Sequence, residues 1–488
     1  MNKINKSLTG KQQRPVKILQ YGEGNFLRAF VDYFVDIANE QGVFHGDIVI
    51  VKPIEFGNLE RFHEQECQYT VSLRGVKDKE IKVENRMITS VADAVDSYTE
   101  YERYREFAKL DTLRFIVSNT TEAGIVFEDT DGFEQNPPRT YPGKLTKFLY
   151  ERYIHFHGDT DKGLIMLPVE LIDDNGIELK KCVHAYASLW NLKPEFIDWL
   201  NTACVFTSTL VDRIVTGYPR EDAKDMWESF GYEDQLMVTA EPFGLWVIES
   251  EKDISEEFPL PKAGLPVIFT DNQKPYKQRK VRILNGSHTS FVLASYLAGN
   301  DLVLESMEDE LIRNFMEHTI FDEVIPTLTL PKEELMQFAN EVTLRFMNPY
   351  VKHALLSISL NSISKWKARC MPSYLEYRKQ YGKLPKHLTF SIAALMAFYT
   401  GNEIRGKALI GHRNGEEYEI LDDQDVLEFF QQTSFKEPEE YTKAVLSNLN
   451  FWGCDLSEEA ACKQVTEYLL RIRKNGMREA LEHWFSVK

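Results

Sequence analysis

Residues 16–30 read VKILQYGEGNFLRAF, and this stretch decides the fold of the first part of the chain. Val16 to Tyr21 is a mainly apolar run that predicts a strand, and the glycines Gly22 and Gly24 follow it directly. Apolar residues then recur at positions 30, 33, 34 and 37, which is the spacing of an amphipathic helix. The stretch therefore predicts a strand, a tight glycine turn and a helix that begins at the turn.

Three later runs resemble the first strand in composition and predict further strands. They are Asp47 to Val51, Arg114 to Ser118 and Gly163 to Val169. Continuous apolar runs are typical of parallel strands that are buried on both faces of a sheet. Because helical patterns separate these runs, their order predicts an α/β fold with a Rossmann-type doubly wound sheet over residues 1–275.

The pattern changes after about residue 275, where long helical patterns dominate. Residues 391–399 (SIAALMAFY) read as a buried helix, and residues 457–476 combine a helix start, an apolar stripe and an Asn-Gly stop. We predict an all-helical domain over residues 276–488, and we expect the acidic stretch Glu416 to Asp425 to be a solvated loop. The cleft between the two domains is the expected place of a binding site.

The bulk composition excludes several classes of partner. The chain has 488 residues and a formal net charge of -18, which argues against nucleic acids and anionic membranes as partners. No apolar run approaches the roughly 20 residues that cross a bilayer, and Met1 to Val16 does not resemble a signal peptide, so we expect a cytoplasmic protein. The six cysteines and eleven histidines show no metal-ligand spacing, so no metal site is predicted. The sequence does not predict the oligomeric state.

The Gly22-x-Gly24 turn has the context of a dinucleotide-binding loop. Its glycines let the backbone approach a pyrophosphate, and the helix that follows offers free N–H groups. The third small residue of the full motif is replaced by Leu27, so an ordinary strand-to-helix turn is an alternative. An acid at the end of the second strand would favour NAD, but Lys52 stands there, with Glu55 three residues later. Since a lysine could also attract a 2′-phosphate, these residues leave NAD and NADP open.

A second motif lies at the start of the helical part, where Lys280, Asn285 and His288 are spaced by five and three residues. On an α-helix they fall within an arc of roughly 140°, so all three could face one cleft. A desolvated lysine can exchange a proton with an alcohol or ketone, an amide can hold the alkoxide, and a histidine can bind a hydroxyl. The alternative is a surface lysine beside a core histidine.

At this point the residues resemble a known family. Gly22 to Phe30, Val211 to Ile214 and the Lys280 motif are similar to the polyol-specific long-chain dehydrogenases, the mannitol dehydrogenase family. Further blocks are closer to the branch of this family that acts on hexuronates: Ser118 to Gly124, Pro168 to Asp173, Thr209 to Pro219, Lys274 to Lys277 and Arg345 to His353. The resemblance implies a Rossmann domain, a helical domain, NAD as cofactor, no metal and hydride transfer.

The resemblance also implies roles for individual residues. Lys280 would be the general acid/base, Asn285 would stabilise the oxyanion and His288 would bind the substrate. The expected cofactor-binding residues are Gly22, Gly24, Asn25, Phe26, Asn119 and Glu122, and the expected substrate-binding residues are Asp212, Lys352, His353 and Lys365. Two departures put mannitol in doubt, because Leu171 stands where mannitol-type members have an oxyanion-hole Asn, and Ser357 where they have an Arg. Asn175 lies near Leu171.

Cations cluster around these motifs in an otherwise acidic chain. They are Lys274, Lys277, Arg279 and Lys280, and then Lys352, His353 and Lys365. Such clusters predict a substrate carboxylate, with salt bridges to the abundant acids as the alternative. A small sugar-acid substrate brings such a carboxylate, and the resemblance to the hexuronate branch implies the keto-hexuronate tagaturonate, reduced by NADH. Its isomer fructuronate, a sugar alcohol, and a dinucleotide-binding sensor without catalysis are the other hypotheses.

Overall fold

The computed structural model describes residues 1–77, 80–121 and 123–486. The chain divides into two compact units, residues 1–273 and residues 274–488. No helix in the described part of the chain is both long enough and apolar enough to span a membrane.

The first unit contains thirteen strands and nine α-helices among its described residues. Its strands are β1 (Val16–Tyr21), β2 (Asp47–Lys52), β3 (Tyr69–Lys77), β4 (Glu80–Ile88), β5 (Val91–Asp96), β6 (Phe115–Ser118), β7 (Ile165–Pro168), β8 (Val205–Phe206), β9 (Ser208–Asp212), β10 (Val215–Gly217), β11 (Val238–Ala240), β12 (Leu245–Glu249) and β13 (Val267–Thr270). Its helices are α1 (Lys6–Thr9), α2 (Asn25–Leu27), α3 (Tyr33–Glu40), α4 (Glu60–Glu64), α5 (Tyr101–Glu106), α6 (Tyr141–His155), α7 (Asn175–Leu189), α8 (Pro194–Thr202) and α9 (Ala223–Phe230).

A six-stranded sheet forms the centre of the first unit. Its strand order is β5-β2-β1-β6-β7-β8, and every neighbouring pair is parallel. Tyr21, near the carboxyl end of β1, pairs with Val51 of β2 on one side and with Ser118 of β6 on the other. The strand order reverses between β1 and β6, and ligands of doubly wound sheets bind at such a reversal, beyond the carboxyl ends of the strands. The predicted Rossmann-type sheet is confirmed.

Helices cover both faces of this sheet, as a doubly wound fold requires. On one face Phe30 and Phe34, in the helical segment after the glycine turn, pack with Trp246 in a continuous apolar core. On the other face Phe148 of α6 and Leu179 of α7 pack in a second core. Each such side chain contributes about 2 kcal/mol when it leaves water.

Two smaller sheets complete the first unit. One has the order β10-β11-β3-β4, and the other has the order β13-β12-β9. In the latter, β9 runs antiparallel to β12, and Asp212 at the end of β9 lies opposite Leu245. The side chain of Asp212 is buried.

The second unit is mainly helical, as predicted. Its helices are α10 (Lys274–Arg279), α11 (Gly286–Ala298), α12 (Val303–Glu308), α13 (Glu310–His318), α14 (Lys332–Phe346), α15 (Leu355–Ile358), α16 (Ser362–Arg369), α17 (Met371–Tyr381), α18 (Lys386–Phe398), α19 (Gln424–Thr433), α20 (Pro438–Leu446), α21 (Leu449–Trp452), α22 (Glu459–Asn475) and α23 (Met477–Ser486). The helix α18 is buried on almost all sides, because nearly every residue from His387 to Phe398 is apolar or small.

The second unit also contains a small sheet that the sequence analysis did not predict. The strands β14 (Ile404–Arg405), β15 (Ala408–Arg413) and β16 (Glu416–Ile420) form an antiparallel meander. The loop predicted from Glu416 onward was wrong, since Tyr418 and Ile420 alternate with exposed glutamates and point into the core. Gly411 lies opposite Tyr418, and a Cβ there would lie 2.4 Å from the tyrosine ring. Buried and exposed residues alternate along this segment, as they do in a strand, but its many acidic residues made the sequence resemble a solvated loop.

Candidate functional site

The glycine turn after β1 has the backbone that its sequence predicts. Gly22 has a φ of +124°, a conformation that residues with a Cβ rarely adopt. A Cβ on Gly22 would lie 3.1 Å from the carbonyl oxygen of Asn119 and 3.1 Å from Cδ1 of Leu27. The loops after β1 and β6 thus touch each other at Gly22, which places Asn119 beside the glycine turn.

The helix after the turn begins with unsatisfied amides. The helices α2 and α3 are joined by a π-helical turn, Arg28–Asp32, into one continuous segment from Asn25 to Glu40. Gly24 precedes it and supplies no capping side chain, and a Cβ on Gly24 would meet nothing within 4 Å. Within the described chain, the N–H groups of residues 25–27 have no acceptor. Free amides at a helix start beneath open space suit an anion such as a pyrophosphate.

Leu27 and Arg28 explain why the glycine motif is incomplete. Leu27 is 1% exposed and belongs to the apolar core, where a third glycine would leave a void. The Arg28 guanidinium donates to the carbonyl of Glu23 (3.1 Å) and to Oδ1 of Asn25 (2.7 Å), and also to the carbonyl of Leu236. These hydrogen bonds from the buried Arg28 therefore stabilise the glycine turn. The sequence gives no local signal for this role.

Two of the predicted cofactor residues lie at this turn with defined contacts. The oxygen of the exposed Asn25 accepts the hydrogen bond from Arg28, and the partly buried ring of Phe26 stacks on Phe30 at 5.0 Å between centroids. These contacts shape the turn, and direct contact of either residue with the cofactor stays a prediction. Glu122, the last of the predicted cofactor residues, lies outside the described residues.

Glu170 holds the loop that follows β6 in place, and this role was not predicted from the sequence. The side chain is 2% exposed, and it accepts hydrogen bonds from the Ser118 hydroxyl (3.1 Å) and from the amide and hydroxyl of Thr120 (3.0 Å each). Burial raises the pKa of Glu170, and these hydrogen bonds oppose the rise. The signal that could have identified it is an acid placed directly after the apolar run of β7.

Lys52 does not have the role in phosphate binding that its position left open. Its side chain is fully buried, and Nζ lies 3.1 Å from Oδ2 of Asp96. The same ammonium donates to the carbonyls of Ile54 (2.5 Å), Glu55 (3.3 Å) and Phe56 (3.3 Å). All three of its protons are used inside the protein, so Lys52 has none to offer a 2′-phosphate.

Asn175 does not replace the missing oxyanion-hole asparagine. It is fully buried and its amide donates to the carbonyls of Pro168, Glu170 and Thr209 at 3.0–3.1 Å. Its oxygen accepts from the amide of Thr209 at 2.8 Å. The Asn175 side chain thus connects two strand ends to the start of α7 by hydrogen bonds, and its amide has no hydrogen left to donate to a substrate. Leu171 is 65% exposed.

The lysine motif of the second unit lies on a π-helical turn. The segment Lys280–Asn285 is π-helical and joins α10 to α11. In a π-helix the hydrogen bond closes between residues five apart, so Lys280 and Asn285 lie above one another on one side. We expected this motif on a regular α-helix, and that prediction was wrong. The wider π-helical turn aligns Lys280 and Asn285 more closely than an α-helix would. π-Helical turns occur frequently at functional sites.

His288 follows on α11 and has an incompletely satisfied side chain. Its ring stacks on Phe346 at 4.1 Å and meets His353 edge-on at 5.4 Å. Nε2 is buried and has no hydrogen-bond partner among the described residues. Burial lowers the pKa of His288 well below its usual range, and repulsion from His353 in its protonated form and from Arg345 adds to the effect. The imidazole is therefore neutral near pH 7 and keeps one polar atom for a ligand.

The predicted cations of the second unit differ in what they bind. Arg279 is buried and ion-paired with Glu334 at 2.5 Å, so the salt-bridge alternative holds for this residue. Lys352 is exposed. His353 and Lys365 lie close enough to His288 to depress its pKa, and the Lys365 ammonium donates to the carbonyl of Ile358 at 2.9 Å. The structure thus brings His288, His353 and Lys365 together.

Family models match both units of the chain. The model of the mannitol dehydrogenase Rossmann domain matches residues 16–262, and that of the mannitol dehydrogenase C-terminal domain matches residues 272–473. The altronate oxidoreductase of Yersinia enterocolitica (serotype O:8 / biotype 1B) is 42% identical over 99% of both chains. The altronate oxidoreductase of Escherichia coli O1:K1 / APEC is 44% identical over 96% of this chain and 97% of that protein.

Solved structures share the fold at low sequence identity. A D-sorbitol dehydrogenase in substrate-free form superposes with a TM-score of 0.80 at 21% identity, covering 98% of this chain and 100% of the other. The mannitol 2-dehydrogenase of Pseudomonas fluorescens, in a ternary complex with NAD and D-mannitol, gives a TM-score of 0.65 at 21% identity over the whole of both chains. These likenesses concern the fold alone.

Proposed function

The chain belongs to the mannitol dehydrogenase family, and on that premise we propose that it reduces D-tagaturonate to D-altronate reversibly with NADH and without a metal. The observation that carries the proposal is the unpartnered Nε2 of His288 among cationic side chains. The names of the relatives, altronate oxidoreductases, agree with it. A sugar acid matches such surroundings because its carboxylate compensates their charge.

The first unit supplies the place for the cofactor. The amides of residues 25–27 and the open space over Gly24 suit the pyrophosphate, and Gly22 allows the backbone to turn beneath it. Lys52 is occupied by Asp96, so nothing from this residue favours a 2′-phosphate, and NADH is the proposed cofactor rather than NADPH. When bound, the nicotinamide supplies the hydride.

The second unit supplies the proton and the hydrogen bonds. Lys280 in its ammonium form donates a proton to the alkoxide that develops at the keto carbon. The amide of Asn285, aligned with Lys280 by the π-helical turn, donates a hydrogen bond to the same oxygen. The neutral His288 binds a substrate hydroxyl through Nε2. In the oxidation of altronate, Lys280 in its neutral form takes the proton back.

Two other catalytic functions use the same residues. Fructuronate differs from tagaturonate only in stereochemistry, so it competes for the same pocket. A neutral sugar alcohol or ketose is disfavoured because it brings no negative charge to the cations near His288. A dinucleotide sensor without catalysis would need the Gly22 turn but not Lys280, Asn285 and His288 together.

The test is the loss of NADH absorbance with tagaturonate, fructuronate and fructose, each with and without a chelator. We expect chelator-resistant turnover, with a kcat/KM for tagaturonate well above those of the other two substrates. Replacing NADH by NADPH should lower kcat/KM. Preference for fructuronate or fructose would reassign the pocket within the family. NADH binding without turnover on any of them would favour the sensor.

A further inference from the structure

The helix α16 ends in an arginine that neither the motifs nor the resemblance singled out. Arg369 is the last residue of α16, half-buried, and one helical turn after Lys365. Like charges four residues apart on a helix repel each other. Arg369 also lowers the pKa of both His288 and Lys365 through its charge, so it lies near the site already described.

Among the described residues, the Arg369 guanidinium has neither a carboxylate nor a backbone carbonyl as a partner. Arg282, Arg313 and Arg473 also lack a carboxylate, but they donate to backbone carbonyls. Within the described chain no carboxylate lies at ion-pair distance from its guanidinium. Other arginines of the second unit do pair with carboxylates: Arg279 with Glu334, Arg378 with Glu458, Arg405 with Glu403 and Glu417, Arg413 with Asp301, Arg471 with Glu467 and Arg478 with Asp309. A chain with 75 acidic residues has left this half-buried cation uncompensated.

One contact orients the guanidinium. Nη1 of Arg369 donates to Oγ1 of Thr289 at 3.4 Å, and the Thr289 hydroxyl donates to the carbonyl of Asn285 at 3.0 Å. This links Arg369 to the π-helical turn that ends at Asn285 and to α11, which carries His288. The remaining donors of the guanidinium have no acceptor in the described chain. Arginine presents its donors as a planar fork, which matches both oxygens of a carboxylate.

We propose that Arg369, oriented by Thr289, binds the carboxylate of the sugar-acid substrate, with Lys365 as the second cation. This inference rests on the proposed function and names the group that separates a sugar acid from a neutral sugar at the same site. Arg369 replaces the exposed Lys352 as the principal carboxylate ligand. The substrate charge then removes the repulsion between Arg369 and Lys365.

The experiment compares tagaturonate with tagatose, the neutral ketose of the same carbon skeleton, on four proteins. Arg369→Gln should lower kcat/KM for tagaturonate about 100-fold, as expected for a lost charged hydrogen bond, and leave tagatose unchanged. Arg369→Lys keeps the charge without the fork and should lose about 10-fold on tagaturonate. Isothermal titration with altronate should show the same order of affinities.

Lys367→Gln is the matched control, since it removes the same charge from the same helix. Lys367 lies two residues before Arg369 on another side of α16, where its Nζ approaches the backbone of Gly453. This variant should behave as the wild type with both substrates.

An equal loss of kcat/KM on both substrates in Arg369→Gln would make the residue structural and overturn the inference. An unchanged kcat/KM for tagaturonate would also overturn it. A wild-type protein that reduces tagatose but not tagaturonate would overturn the proposed function as well.

Discussion

The glycine turn of the first unit is built from backbone, whereas the cluster around His288 in the second unit is built from charged side chains. In the first unit the buried cations Lys52 and Arg28 bind groups of the protein itself. Lys52 binds Asp96 and three carbonyls, and Arg28 binds carbonyls and Asn25. In the second unit Arg369 keeps most of its donors unused, and His288 keeps Nε2. Since buried polar groups are normally satisfied, the unused donors of Arg369 and the unpartnered Nε2 of His288 support a ligand site at this cluster.

The largest expected effect separates the chemistry of the second unit from cofactor binding in the first. Lys280→Ala should lower kcat about 1,000-fold, because the proton donor is lost. The Kd for NADH should change less than about 2-fold, since the cofactor turn is untouched. Steady-state rates and a fluorescence titration with NADH measure the two effects. Lys280→Arg should not restore activity, because arginine cannot be deprotonated in a protein.

Retained turnover in Lys280→Ala, or loss of NADH binding with it, would contradict the division of roles between the two units. Recovery of turnover in Lys280→Arg would show that a fixed charge suffices at this position, and the acid/base role would then be wrong.

A smaller effect is expected when either glycine of the turn, Gly22 or Gly24, is replaced by alanine. Gly22→Ala should lose about 1–3 kcal/mol of stability, because a φ of +124° strains any residue with a Cβ. Gly24→Ala should keep its stability, because its φ is -67° and its Cβ meets nothing within 4 Å. The added methyl group would occupy the open space and weaken NADH binding about 10-fold. Urea unfolding and NADH titration of both variants check this.

If Gly24→Ala binds NADH as tightly as the wild type does, the open space above the helix start is not the pyrophosphate site. A stability loss in Gly24→Ala as large as in Gly22→Ala would also show that the two glycines do not differ in the way that their backbone angles require.

The smallest effect concerns a buried acid beneath the cofactor turn. Burial raises the pKa of Asp32 to about 7, although the Tyr69 hydroxyl donates to it at 2.5 Å. The folded protein therefore holds a proton that the unfolded chain releases at its ordinary, lower pKa. The free energy of unfolding must then fall by about 2 kcal/mol as the pH rises from about 5 to about 7.

Asp32→Asn should remove this slope, because an amide does not ionise and can still accept the Tyr69 hydrogen bond. Urea unfolding at about pH 5 and about pH 7 measures it for both proteins. The same pH dependence in the variant would mean that another group titrates.

Much of the architecture could be predicted because its signals are local. The apolar runs at Val16 to Tyr21 and Asp47 to Val51 place the parallel strands, and the family resemblance read from the motifs is confirmed by the matched domain models. The strand Glu416–Ile420 could not be predicted, because its buried residues are separated by glutamates. The π-helical geometry of Arg28–Asp32 and of Lys280–Asn285 was also not predicted, since no local residue pattern distinguishes these turns from an α-helix.

The sequence by itself determined the elements, the glycine turn and the residue types that could form a site, because these depend on neighbours close along the chain. Only the tertiary structure decided which charges are neutralised. Lys52 meets Asp96 across 44 positions and Arg279 meets Glu334 across 55, and these pairs exist only after folding. Arg369 looks the same in the sequence, yet folding brings it no acid. The electrostatic state of a side chain depends on groups within a few ångströms of it, whatever their distance along the chain.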